Sequence, residues 1–145
     1  MAARTAKAQW EGSINEGSGR MSLGSGAFEG AYSFQSRFGD QDAGTNPEEL
    51  IAAAHAGCFT MALTLVLGQG GHDPESLNTQ ARVSLRNLED TGPTITKVTL
   101  QTTGRVPGIT QEEFQKAAET AKDTCVVSRA LAGVPEFALE ANLES

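Results

Sequence analysis

One apolar segment, residues 50–67, constrains the fold of this chain more than any other feature. Asn46 before it is a preferred N-cap, Pro47 suits the first helical position, and the two glutamates that follow suit the positive end of a helix. The segment is apolar on nearly every side, and Gly68 can end it. The pattern therefore predicts a buried central helix.

The same segment raises the question of a membrane span. Its 18 positions are close to the lower limit for a helix that crosses a bilayer. His55, Gly57 and several alanines lower its hydrophobicity, and its N-terminal signals are those of a helix in water. We therefore expect no membrane partner.

The segments around this helix have the patterns of strands and turns. The first 35 residues alternate in short pieces between glycine clusters, which predicts a meander of strands. Residues 35–46 are rich in turn formers and predict a polar connection. Residues 78–87 and 94–101 alternate in polarity and predict two antiparallel strands.

A second helix is indicated near the C-terminus. Thr110 and Glu113 have the spacing of a capping box. Residues 128–132 predict a short helical turn, and residues 134–143 a last strand. The second helix has an apolar stripe that ends at Cys125 and contains Phe114, Ala117, Ala118 and Ala121.

Together these elements predict one α+β domain over residues 1–145, with antiparallel sheets packed on a buried central helix and a second long helix. A net charge of -7 argues against a nucleic-acid partner, which needs a basic surface. The N-terminal residues lack the apolar core of a signal peptide, so we expect a cytoplasmic protein with reduced thiols.

The chain has two cysteines, Cys58 and Cys125. They are too few for a disulfide-stapled scaffold, and their separation matches no zinc motif. Free cysteine is often simply buried, so the pair indicates either redox chemistry or core packing. The acidic residues of the second helix have no metal-ligand spacing, and we expect neither a metal nor a cofactor.

Three separated motifs resemble one known family. They are NPEELIAAAHAGCFTMAL at 46–63, SRF at 36–38 and CVVSRAL at 125–131. Their sequences and their order resemble the OsmC/Ohr family of cysteine-based peroxidases, and most closely its OsmC branch. The resemblance spans nearly the whole chain. One departure is that the family usually has proline directly after its second cysteine, whereas this chain has Val126.

The resemblance implies an OsmC-like fold and a peroxidase that reduces organic hydroperoxides to alcohols in oxidative or osmotic stress defence. It implies that Cys58 is the nucleophile, that Cys125 resolves its sulfenate as a disulfide, and that Arg37 and Glu48 are electrostatic partners. It also implies an external dithiol reductant, such as a lipoyl group.

These roles agree with the chemistry of the side chains. A peroxide is attacked by a thiolate, and a cysteine with a pKa near 8.5 is mostly protonated at neutral pH, so Cys58 needs a nearby cation. Arg37 can hold the thiolate with one edge of its guanidinium while Glu48 fixes the other. We expect Phe38, Phe59 and the apolar flank of the central helix to line a pocket for the alkyl chain of the substrate.

The positions of Glu48 and Cys58 predict an intertwined homodimer. They are ten residues apart on one predicted helix, which is about 15 Å along its axis. If both serve one site, the Glu48 beside a given Cys58 comes from a second copy of the chain. The two central helices would then pack through the small residues Ala52, Ala53, Ala56 and Gly57.

Two alternatives remain open from the residues alone. His55 precedes Cys58 by three residues and shares a helix face with it, so a Cys-His hydrolase is conceivable. No motif supplies the orienting group or the oxyanion hole that a hydrolase needs, and we favour a packed His55 that makes one hydrogen bond. The other alternative is a noncatalytic ligand-binding member of the same fold.

Overall fold

A computed structural model describes residues 3–39 and 43–144. Its strands and helices come in runs and not in strict alternation, which confirms the predicted α+β class. The elements are β1 (Ala6–Glu11), β2 (Ser18–Leu23), β3 (Glu29–Tyr32), α1 (Phe34–Phe38), α2 (Pro47–Gln69), β4 (Ser76–Leu88), β5 (Gly92–Arg105), α3 (Gln111–Thr124), α4 (Val126–Ala130) and β6 (Glu136–Leu143).

The chain divides into two compact units, and the border falls between Leu50 and Ile51, within helix α2. In the first unit β1, β2 and β3 form an antiparallel sheet in sequence order, which confirms the predicted meander. Trp10 and Tyr32 pack edge to face on this sheet, with ring centroids 5.5 Å apart. The two rings lie on the outer strands β1 and β3 and meet over Gly19 of β2, and such an aromatic pair adds to the stability of the sheet.

Helix α1 corrects the prediction of a polar connection over residues 35–46. Ser33 caps this helix: its side chain accepts from the Ser36 amide, while the Ser36 side chain accepts from the Ser33 amide. This reciprocal pair acts as a capping box, but with serine in the place usually held by Glu or Gln. Arg37 therefore lies on a helix and not on a loop; residues 40–42 of the predicted connection lie outside the described residues.

The second unit contains the sheet β4-β5-β6. Strands β4 and β5 form the predicted antiparallel pair, and Gly92 takes a φ of +75° where the chain turns between them, a conformation that favours glycine. Strand β6 runs parallel to β5, which differs from the predicted all-antiparallel arrangement. The reason is the connection, because two helices, α3 and α4, separate β5 from β6 and form a crossover.

The core of the second unit combines one face of α2 with residues of α3 and of the sheet. Helix α3 begins with the predicted capping box of Thr110 and Glu113. The buried face of α2 follows a spacing of four residues, which is typical of one side of a helix. The core contains Phe59, Leu63 and Leu67 from α2, Leu100 from β5, and Phe114, Ala118 and Ala121 from α3.

The opposite face of α2 is exposed in the single chain. Met61 is 77% exposed and Leu65 is 61% exposed, although both are large apolar residues. The prediction of a buried central helix is therefore confirmed for one face of α2 and is wrong for the other in the single chain. By length and composition α2 could cross a membrane, but the core helix of a water-soluble protein passes the same test.

Candidate active site

Cys58 and Cys125 form the centre of the candidate site in the second unit. Cys58 lies in the middle of α2 and is partly buried, whereas Cys125 lies between α3 and α4 and is 1% exposed. Both are free thiols, and their Sγ atoms are 3.0 Å apart. Two thiols at this distance can be oxidised to a disulfide with little movement.

The backbone at Cys125 sets the direction of its side chain. Cys125 has φ −61° and ψ 124°, so it ends α3 and also caps α4. A following proline would favour this extended conformation. The chain adopts it with Val126 instead, so the departure from the usual motif does not prevent the contact with Cys58.

The surroundings of the two sulfurs differ. Burial raises the pKa of Cys58, and the hydrogen bond that it shares with Cys125 raises it further, against the opposing effect of the Val127 and Val126 amides. Burial also acts to raise the pKa of Cys125, but hydrogen bonds from Cys58 and from Ser128 outweigh it and lower the value. Either sulfur can hold the shared proton, and the hydrogen-bond donors around Cys125 favour the negative charge there.

Ser128 links Cys125 to a buried histidine. The Ser128 amide donates to the Cys125 Sγ at 3.5 Å, and the Ser128 Oγ lies 2.7 Å from the His55 Nε2. His55 is fully buried, and burial lowers its pKa, so its ring is neutral at neutral pH. The prediction that His55 is a packed residue with one hydrogen bond is confirmed.

This geometry gives no support to a Cys-His hydrolase. The Nε2 of His55 contacts Ser128, and within residues 3–39 and 43–144 its Nδ1 has no hydrogen-bond partner. A nucleophile and its base must lie within hydrogen-bonding reach of each other. Cys58 instead has Cys125 as its side-chain partner.

Arg37 and Glu48 form an ion pair in the first unit. The Arg37 Nη2 lies 2.7 Å from the Glu48 Oε1, and the Arg37 Nε lies 3.1 and 3.2 Å from the two carboxylate oxygens. The Glu48 side chain is 11% exposed and that of Arg37 is 39% exposed. A bidentate pair of this kind orients the guanidinium and leaves its remaining N–H groups free to bind another anion.

Short polar contacts position this ion pair. The Ser36 Oγ donates to the Thr45 carbonyl at 2.8 Å, and the Asn46 Nδ2 donates to the Ser36 carbonyl at 3.0 Å. The Asn46 Oδ1 also accepts from the Glu49 amide at 2.8 Å, which confirms Asn46 as the N-cap of α2. These bonds fasten α1 to the first turn of α2.

The structure thus forms two pairs from the four predicted site residues, Arg37 with Glu48 and Cys58 with Cys125. The prediction that Phe59 lines a substrate pocket is wrong, because Phe59 is fully buried in the core. Ser128 was not predicted as a site residue; its signal was its position three residues after Cys125, the spacing at which a backbone amide donates to an N-cap side chain. Among the described residues no group of three or more His, Cys, Asp or Glu side chains could hold a metal.

Two free thiols in contact can be oxidised and reduced as a pair, which is the chemistry of cysteine-based redox proteins. A family model described as "OsmC-like protein" matches residues 39–140. Peroxiredoxin OsmC of Escherichia coli (strain K12) is 45% identical over 140 residues, which cover 96% of this chain and 95% of that protein. The chain belongs to the OsmC-like protein family.

Further relatives carry names from organic hydroperoxide resistance. Organic hydroperoxide resistance protein-like 1 of Staphylococcus saprophyticus is 33% identical over 98 residues, covering 65% of this chain and 66% of that protein. The crystal structure of an organic hydroperoxide resistance protein from Elizabethkingia anophelis matches with a TM-score of 0.75 and 27% identity, covering 99% of this chain and 98% of that one. The fold is therefore shared along the whole chain.

Proposed function

We propose that this protein is a thiol peroxidase that reduces organic hydroperoxides to alcohols in oxidative or osmotic stress defence. The observation that carries the proposal is the 3.0 Å contact between the sulfurs of Cys58 and Cys125. Relatives along the chain are named peroxiredoxin OsmC and organic hydroperoxide resistance protein, which supports the same activity.

In the proposed oxidation, the thiolate of Cys58 attacks the outer oxygen of the hydroperoxide. The O–O bond breaks, the alkoxide leaves and takes a proton to become the alcohol, and Cys58 becomes a sulfenic acid. The thiolate of Cys125 then attacks the Cys58 sulfur and releases hydroxide, which leaves a Cys58–Cys125 disulfide. An external dithiol, such as a lipoyl group, returns both cysteines to thiols.

Arg37 supplies the charge that the reaction needs in this proposal. Burial and the contact with Cys125 raise the pKa of Cys58 by more than the Val127 and Val126 amides lower it, so a cation is needed to favour the thiolate. The guanidinium of Arg37, held by Glu48, would stabilise the thiolate and then the departing alkoxide.

We also propose that the active form is an intertwined homodimer in which Arg37 and Glu48 of one copy serve Cys58 of the other. The exposed apolar face of α2 supports this, since Met61 and Leu65 would be covered by a second copy. Gly57 supports it too: among the described residues, a Cβ at this position meets no atom within 4 Å beyond its own helix turn. Its small size leaves room for a close helix crossing.

The substrate class follows from the residue next to Arg37. The Arg37 guanidinium lies 5.1 Å from the centre of the Phe38 ring, and this ring is 42% exposed. Phe38 can therefore contact an alkyl chain while Arg37 binds the peroxide end.

The match of one family model to residues 39–140 supports a single OsmC-like domain over residues 1–145, which we place in the cytoplasm.

Steady-state kinetics test this proposal. With dithiothreitol as reductant, kcat/KM for cumene hydroperoxide should exceed that for hydrogen peroxide by more than tenfold, because three or four extra buried methylenes contribute about 2 to 3 kcal/mol. Equal values for the two peroxides would contradict the proposed substrate class. No reduction of either would contradict the peroxidase itself.

A further inference from the structure

Ser128 has a position that the proposed oxidation does not explain. It is 8% exposed and lies between two buried groups, with its Oγ 2.7 Å from the His55 Nε2 and its amide 3.5 Å from the Cys125 Sγ. Hydrogen bonding from the Ser128 backbone and side chain also acts to lower the pKa of Cys125. His55, Ser128 and Cys125 therefore form one continuous buried series of contacts, which runs through the Ser128 hydroxyl on one side and its backbone amide on the other.

The unpartnered Nδ1 of His55 decides which atom donates in the hydrogen bond between His55 and Ser128. Among the described residues, His55 Nδ1 is buried without a partner. A buried N–H without an acceptor is rarer than a buried acceptor without a donor, which places the proton on Nε2. The Nε2–H then donates to the Ser128 oxygen, and the Ser128 hydroxyl proton is left to point at Cys125.

We infer that His55 and Ser128 are a positioning pair that makes Cys125 the leaving thiolate when the disulfide is reduced, so that the external thiol attacks Cys58. This inference rests on the proposed function, because it concerns the reduction of the disulfide formed there. It assigns a role to Ser128 and His55 in addition to those of Arg37, Glu48 and the two cysteines.

Access to the two sulfurs and leaving-group chemistry both favour attack of the external thiol on Cys58. Cys58 is partly exposed in the single chain whereas Cys125 is 1% exposed. Cys58 is also the sulfur that the hydroperoxide must reach in the proposed oxidation, so an external thiol has a path to Cys58. In thiol-disulfide exchange the sulfur whose thiolate is better stabilised leaves faster. The incoming thiolate bonds to the Cys58 sulfur, the Cys58–Cys125 bond breaks, and the electron pair stays on Cys125, where Ser128 donates to it. The second thiol of the reductant then displaces Cys58 from the mixed disulfide.

The site of attack can be measured on the unmodified chain. The disulfide is made with diamide, so that its formation does not depend on any peroxide reaction, and is then exposed briefly to 2-mercaptoethanol, quenched with acid and alkylated. Peptide mass spectrometry should find 2-mercaptoethanol on Cys58 and the alkyl group on Cys125. The adduct on Cys125 would overturn the inference and leave the peroxidase proposal untouched.

Variants of Ser128 test the role of its hydroxyl. Ser128→Ala should slow the reduction of the diamide-made disulfide by dithiothreitol about tenfold, because the leaving thiolate loses a charge-assisted hydrogen bond. Ser128→Thr keeps the hydroxyl and should restore the rate. Reduction of Ser128→Ala at the unmodified rate would overturn the inference.

Thr124→Ala is the matched control. It removes another hydroxyl beside Cys125, but one that binds the Thr120 and Ala121 carbonyls within α3. Its reduction rate should match that of the unmodified chain. A slowing equal to that of Ser128→Ala would show that any loss of a hydroxyl here has this effect, and would overturn the assignment.

Discussion

The sulfur of Cys58 lies 3.0 Å from the sulfur of Cys125, 67 residues further along the chain. A disulfide bond is about 2.05 Å long, so the two atoms need to close by only about 1 Å. The contact joins the middle of α2 to the junction of α3 and α4. An oxidised Cys58 therefore has a second thiol beside it from the moment that it forms.

Replacement of each cysteine should separate the two oxidation steps. Cys58→Ser should abolish hydroperoxide reduction, because the nucleophile is lost. Cys125→Ser should reduce one equivalent of hydroperoxide and then hold a sulfenic acid at Cys58, which dimedone labelling and mass spectrometry detect. Continued turnover of Cys58→Ser would contradict the assignment of the nucleophile.

Arg37 should be required for the ionisation of Cys58. We expect Arg37→Ala to lower kcat/KM for cumene hydroperoxide about a hundredfold, because a fixed donor to the developing charge is removed. Arg37→Lys should recover only part of this loss, since an ammonium cannot bind Glu48 in two places. Arg20→Ala is the control, because Arg20 forms an exposed ion pair with Glu29 on the strands of the same unit. Equal losses for the Arg37 and Arg20 variants would argue against a specific role.

Gly57 should control assembly. A Cβ at this position meets no described atom within 4 Å in the single chain, whereas a leucine would separate two closely packed helices. Gly57→Leu should therefore sediment as a folded monomer with little activity. Gly133→Leu is the control, because a Cβ at Gly133 also meets no described atom within 4 Å. A fully active Gly57→Leu monomer at assay concentration would refute the proposed shared site.

The capped helices and the buried stripe of α3 could be predicted from local signals. Asn46 and Pro47 start α2, and the spacing of Thr110 and Glu113 starts α3, because capping depends on neighbours three residues away. Helix α1 was missed because its cap uses Ser36 where the usual motif has Glu or Gln. The parallel pairing of β6 was missed because direction depends on the crossover and not on the alternation within a strand.

The candidate site was predictable to different extents. The cysteines and the ion pair came from motifs, whereas the burial of Phe59 depends on which face of an all-apolar helix meets the core. The periodicity of residues 50–67 carries no information on that choice. The link between His55 and Ser128 spans 73 residues, and such a long-range contact leaves no pattern in the local sequence.

Burial of His55 should make stability depend on pH. Because burial lowers its pKa from 6.5, the folded protein resists protonation there, and the unfolded chain binds more protons. The contribution of the neutral His55 to the free energy of unfolding is complete above pH 6.5 and is lost as the pH falls toward the lowered pKa of the folded state. The free energy of unfolding in urea, measured at one protein concentration, should fall between about pH 7 and pH 5. His55→Gln should flatten this dependence, whereas His72→Gln should keep it; identical slopes for the two variants would contradict the role of His55.

The most direct test of the proposed two-cysteine cycle is the mass of the intact protein after one equivalent of cumene hydroperoxide. The cycle predicts the loss of two hydrogen atoms, no remaining thiol that reacts with an alkylating agent, one equivalent of alcohol, and a peptide pair that joins Cys58 to Cys125. An unchanged mass with both thiols still reactive would contradict the two-cysteine cycle, as would a stable gain of oxygen at Cys58 with Cys125 still free.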